Sequence, residues 1–370
     1  MYFHRGGSAR GYCWIRFRLR QAPARLAGAQ RAKAVAGPAL LLAAVALGTH
    51  LHAALNVEVL RSVSGLPPHI AGLFEEPLGF HQTPGGPYYV FDRRGHSVYA
   101  VDAGKTAALK LVEIGPELGR IIQPRGFDTS PSGSFVVADA PRGIERVQIF
   151  GAGGLRQRGF TLPPRRRTAS IEIGPLVLNG IASIQYAGAQ LLISHPESGA
   201  LITEYSASGV AQRSIGRLRD TGHEADRDLH LALNVGLPLV NPAGGYYYVF
   251  LGGRPMFHKY DEHGRLLFER HIEGAELDPH LASLPTMWRS RRDADREFPL
   301  VVPAVRAAAV DGRGHLWVSL TEPITYVYDA QGDKIRHVQF RAAGIISPTS
   351  LFFTQDGRLL VTPGCYEFTP

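Results

Sequence analysis

The densest run of chemically able side chains in this 370-residue sequence is His223-Glu224-Ala225-Asp226-Arg227-Asp228-Leu229-His230. His223, Glu224, Asp226 and His230 can each bind a divalent cation such as Ca²⁺ or Zn²⁺, and the two imidazoles can move protons near neutral pH. The spacing is not HExxH, because the second histidine follows seven residues later. An extended segment would put Glu224, Asp226, Asp228 and His230 on one side. A solvated loop that carries charge for solubility competes with the cation reading. Trp288, in MWRSRRDADREF, is an aromatic residue among arginines, the usual make-up of a recognition anchor. Its alternative role is to pack a long loop onto the body of the fold. Arg165-Arg166-Arg167 reads as a solvated loop or as a contact for an acidic partner. No GxSxG elbow, Ser-His-Asp order, GxGxxG after a strand or Gly-rich GKS loop occurs, so serine hydrolase, dinucleotide and nucleoside triphosphate chemistry have no support.

Charge narrows the partners. The net charge of +8 invites a nucleic-acid reading, but eight of the 40 Lys and Arg residues lie in the first 35 positions, where there is no acid. The remaining chain has 32 bases against 32 acids and lacks the basic footprint of a nucleic-acid binder. Residues 1–54 read as a basic leader followed by the apolar run AVAGPALLLAAVALG, the layout of a secretory signal or of an uncleaved membrane anchor. This implies an exported protein, periplasmic or extracellular, touching the membrane only if the leader is retained. Cys13 and Cys365 are the two cysteines, and neither stands in a CxxC or zinc-binding spacing.

The elements that must position these residues repeat. VLNGIASIQYAGAQLLISHPESGALITEYSASG has counterparts beginning at Pro77, Pro124, Asn234, Ala304 and Pro348. Each has a short apolar strand, a Gly-containing turn, a strand such as FVVADA or LWVSL, a polar gap and a strand such as RVQIF or TYVYD. Repeats of this length with four strands predict a six-bladed β-propeller over residues 55–370. The last copy lacks its outer strand, and LNVEVLRSV near the N-terminus has no blade of its own. Pairing that N-terminal strand with the last blade would close the ring. The long connectors, Thr161–Val177, Ile215–Leu233 and Gly274–Val302, all join an outer strand to the next inner strand, so they gather on one face and mark it as the working face. The inner strands open onto that face at Glu76, Arg125, Asn179, Asn234, Arg306 and Thr349. Arg125 and Arg306 would bring two positive charges near the axis, to pair with acids such as Glu76 or to hold a carboxylate or phosphate.

PRGFDTSPSGSFVVADAPRGIERVQIFGAGG, and after it AVRAAAVDGRGHLWVSLTEPITYVYDAQG, resemble the repeats of NHL-type six-bladed propellers. The resemblance implies the fold from about Leu55 to the end, and this architecture serves enzymes, ligand binders and scaffolds alike. There is a weaker similarity to gluconolactonase-like propellers, which hold one divalent ion at the channel mouth through Glu, Asn and Asp. It implies Glu76 and Asn179 as two ligands and Asn234 as a third, with Arg306 standing where the acid is expected. A guanidinium beside a hard cation is electrostatically adverse. The sequence therefore supports a non-enzymatic module that binds a ligand or protein partner on the long-connector face. The alternative is a metal-dependent hydrolase or lyase at the channel mouth.

Overall fold

The structure, a computed structural model, describes residues 56–370 apart from 85, 164–169, 174–175, 179–182, 286 and 294–295. The basic leader, Arg165-Arg166-Arg167 and Asn179 lie outside the described residues. Among those described, no helix is long and apolar enough to cross a membrane.

Blade 1 consists of Pro77–Gln82, Tyr88–Asp92, Ser97–Val101 and Ala108–Val112, paired antiparallel in that order. Blades 2, 3 and 4 repeat the plan from Gly126–Thr129, Ile184–Ala187 and Gly236–Val240, their inner strands. Blade 5 begins at Val305–Val310, and blade 6 has Ser350–Phe353, Leu359–Thr362 and Tyr366–Phe368. Each inner strand packs against the next, and that of blade 6 against that of blade 1. The circle is closed, and the fold is the six-bladed propeller that the repeats predict.

Middle strands such as YYVFD, FVVAD and LWVSL are buried along their whole length. Blades stack face to face, so both sides of a middle strand meet another blade and the apolar run is continuous rather than alternating. The outer strand of blade 4, Leu266–His271, is exposed at five of six positions. The tight turns follow from their D-x-x-G sequences. Asp261, Asp311 and Asp329 each accept two backbone N–H groups through Oδ1, at 2.8 to 2.9 Å. Gly264, Gly314 and Gly332 close these turns at φ of 78°, 83° and 85°, which glycine adopts without steric cost.

The N-terminal segment clasps two blades. Ser64–Gly65 supplies the fourth strand of blade 6 by pairing with Tyr366–Phe368, which closes the ring. The longer strand Val57–Arg61 runs parallel to the outer strand of blade 5, Lys334–Arg341. The chain crosses between them at Val63, whose N–H donates to Glu367 O at 2.9 Å.

The three long connectors build structure of their own. Ser170–Ile173, from the connector after blade 2, pairs parallel with Arg296–Val301, from the connector after blade 4. Leu176–Leu178 and Ser290–Asp293 complete a four-stranded sheet. The connector after blade 3 forms a helix, Arg227–Leu233, packed against Arg296–Val301. Asp226 caps it by accepting from Leu229 N at 3.1 Å. The extended arrangement expected for 224–230 is therefore corrected: this segment turns into a helix that buries Leu229, Leu231, Ala232 and Leu233.

Candidate functional site

A cavity of about 150 Å³ is lined by residues in or just before the inner strands of all six blades, Arg125, Arg306 and Thr349 among them. Local structure explains Arg306. Val305 faces Leu320 and Ala307 faces Ser319, so Arg306 is an extra residue in a β-bulge, the device that re-aims a side chain off the regular ladder. Its Nε is buried without a hydrogen-bond partner among the described residues. Burial lowers the Arg306 pKa, offset in part by Glu322, and an arginine keeps its charge regardless. Arg125 stands 3.7 Å from the buried carboxylate of Glu145. Thr349 shares a 2.9 Å hydrogen bond with Thr362.

Two further residues line this cavity that the sequence reading missed. His81 Nδ1 lies 3.2 Å from Thr129 Oγ1 and 3.5 Å from Asp128 Oδ1, and its ring stacks on Phe352. Asp128 Oδ2 accepts from Tyr186 N at 2.7 Å. Burial pushes the Asp128 carboxyl up to about 7, against the pull of the Tyr186 and Thr129 N–H groups. Burial also takes His81 down to about 3. The signal was present in PLGFHQ and PRGFDT, which place a polar residue after the same Gly-Phe pair.

Of the cation set implied at this mouth, the two described members, Glu76 and Asn234, are committed elsewhere. The Glu76 carboxylate binds Arg93 at 2.5 Å, and Glu76 does not line the cavity. Asn234 is fully buried as the C-cap of helix Arg227–Leu233. Its Oδ1 accepts from Arg219 N at 2.9 Å, and its Nδ2 donates to His230 O at 2.9 Å. Both amide atoms are thus used in fixing the connector, and neither is offered to an ion.

The second predicted cluster is also spent locally. Glu224 Oε1 accepts from Thr221 N and Gly222 N, Thr221 Oγ1 bonds His230 Nδ1 at 2.8 Å, and Asp226 caps the helix. His223 instead meets Trp288, whose Nε1 donates to His223 Nε2. Among the described residues, no three His, Cys, Asp or Glu side chains stand closed around one point.

His223 and Trp288 sit at the lip of a much larger groove, about 1120 Å³, between the outer parts of blades 3 and 4. Its walls include His258, Tyr260, Glu269 and His271. His258 Nδ1 hydrogen-bonds Tyr260 OH at 2.9 Å, and burial holds this imidazole down at about 4 although Glu269 opposes the shift. The sequence reading did not single out any of these four.

No family model and no curated protein matches the chain. Among solved structures, selenomethionine-substituted virginiamycin B lyase from Staphylococcus aureus is similar at 9% identity and a TM-score of 0.48, over 78% of this chain and 77% of its own. A catalytically inactive form of that lyase with quinupristin is similar at 10% identity and a TM-score of 0.47, over 78% and 77%. A protein of unknown function from Bacteroides caccae is similar at 10% identity and a TM-score of 0.42, over 70% and 80%.

Proposed function

We propose that the chain is an exported, NHL-like recognition propeller. It takes an anionic group, a carboxylate or phosphate on a small ligand or a protein partner, at the axial mouth of its long-connector face. The observation that carries this reading is Arg306, which a β-bulge sets into the axial cavity that Arg125 also lines, with its Nε buried and unpartnered among the described residues. A buried donor without a partner costs about 1–3 kcal/mol, which an anion that accepts from it would recover. Size sets the mode of binding. Sites that enclose a whole small molecule span about 300–1,000 Å³, so a cavity of about 150 Å³ receives a headgroup and leaves the rest of the ligand outside it. Export is supported by the leader, where eight bases precede the apolar run. Cell fractionation tests that part.

Anion binding is tested by titrating inorganic phosphate and citrate against thermal unfolding of the protein and of Arg306→Met. A ligand bound by the native state alone raises the melting temperature with concentration. The reading expects this rise in the protein and not in the variant. Equal curves for the two overturn it.

A further inference from the structure

We propose that the groove between blades 3 and 4 is a metal site, which takes a divalent transition-metal ion of the Zn²⁺ class through His258, Glu269 and His271. It is separate from the axial mouth and does not rest on the anion reading.

The strands place these residues together. Met256–Tyr260 and Leu266–His271 pair antiparallel, with His258 opposite Glu269 and Met256 opposite His271. Directly opposed residues share a face, as do residues two apart, so the three candidate ligands project from one side of the ladder. All three line the groove.

His258 has the environment of a ligand. It is 5% exposed, and its Nε2 is buried without a hydrogen-bond partner among the described residues. Glu269 Oε2 is 3.3 Å away, without the alignment that a hydrogen bond needs. The other ring nitrogen is held by Tyr260 OH at 2.9 Å, and a metal-bound histidine nearly always has its second nitrogen engaged in this way. Tyr260 is itself wedged, since a Cβ on Gly216 would meet its hydroxyl, so only glycine lets the outer strand of blade 3 pass there.

The remaining ligands are adjustable. Glu269 and His271 are exposed, and in this structure they do not close on a point with His258. Opposed Cβ atoms on paired strands stand about 5 Å apart and diagonal ones about 7–8 Å, a span that two imidazoles and a carboxylate can bridge through one ion by rotamer changes alone. Two nitrogen donors and one oxygen donor suit Zn²⁺, whereas Ca²⁺ and Mg²⁺ prefer oxygen alone. Three protein ligands leave a fourth position open to a groove of about 1120 Å³, the arrangement of zinc sites that meet a substrate.

The test is calorimetric titration of the full chain, stripped with chelator, with Zn²⁺, repeated with Co²⁺ followed by its visible absorption. One equivalent should bind, with the absorption of a four-coordinate ion. His271→Gln and Glu269→Gln change exposed side chains and leave the fold intact; each should weaken binding at least about 10-fold. Tyr260→Phe, which touches only the orienting hydrogen bond, should weaken it by a similar factor. Weak binding of several equivalents to surface histidines, or one equivalent unchanged in His271→Gln and Glu269→Gln, overturns the proposal.

Discussion

Trp288 Nε1 donates a hydrogen bond to His223 Nε2 at 3.3 Å, across 65 residues of chain. The two rings meet edge to face, at 86° and 6.5 Å between centroids. The indole also packs against the core shared by blades 4 and 5. Of the two roles open to Trp288 in the sequence, the brace that ties one connector to another is the one its contacts serve.

Substituting Trp288 separates packing from hydrogen bonding. Trp288→Phe keeps most of the apolar contact and loses one hydrogen bond, a cost of about 1 kcal/mol. Trp288→Ala also opens space under the connector and should cost about 2–3 kcal/mol, below the range for a fully buried tryptophan. Urea unfolding gives the totals, and hydrogen exchange in residues 219–226 locates the loss. Equal costs for the two variants would count against packing as the larger contribution.

Arg306→Met should trade affinity for stability. The methionine fills a similar volume and removes a buried, unpartnered Nε–H, whose burial carries a penalty of about 1–3 kcal/mol. Without anion, the variant should be at least as stable as the parent, by up to about 1 kcal/mol in the free energy of urea unfolding. A clear destabilisation would mean that the guanidinium braces the bulge rather than waiting for a ligand.

The blades were legible in the sequence because each tight turn carries its own local chemistry, as in Asp261-Glu262-His263-Gly264, where the carboxylate and the glycine specify the turn without tertiary help. The position of Val57–Arg61 was not, because a strand added to an outer edge chooses its partner by fit, and no local signal separates blade 5 from blade 6. Helix Arg227–Leu233 was missed because seven residues are too few to show a period, and packing on Arg296–Val301 decides the conformation. Glu76 was taken two residues out of register: aligning PLGF with PRGF puts Leu78 at the position of Arg125, and Leu78 lines the cavity while Glu76 pairs with Arg93. The His258, Glu269 and His271 face was hidden because it depends on the register between two strands, and Met256–Tyr260 is buried along its whole length.

Glu367 lies in the strand that pairs with the closing strand and is 3% exposed. It accepts from Arg358 at 2.8 Å and pairs with Lys105 at 2.5 Å, and Lys105 also reaches Ser64 in the closing strand. Burial raises the Glu367 pKa, but the hydrogen bonds and charges of its basic partners outweigh this and hold it below the usual range. Removing one member of a buried pair strands the others, so Glu367→Ala should cost about 3–5 kcal/mol. Because each blade leans on its neighbours, the loss should appear as one cooperative transition at lower urea. A cost below about 1 kcal/mol would show that the network is not what closes the ring.

The His81 and Asp128 pair makes opposite predictions for its two single variants. His81 falls to about 3 on folding from its ordinary 6.5, so between these values the unfolded chain binds the extra proton. That contribution weakens the protein as pH falls. Asp128 rises to about 7 from 3.8, so here the native state holds the extra proton, and its contribution weakens the protein as pH rises. Between 3.8 and 6.5 both states keep one proton on the pair, and the two slopes cancel. Asp128→Asn leaves the histidine alone, and its stability should fall by up to about 1.4 kcal/mol per unit as pH drops below 6.5. His81→Phe keeps a ring against Phe352 and leaves the acid alone, and its stability should fall by a similar slope as pH climbs from 3.8 towards 7. Urea midpoints measured from about pH 4.5 to 6.5, relative to the parent at each pH, read both slopes. Slopes of the same sign in the two variants would mean that burial does not shift these two groups in opposite directions.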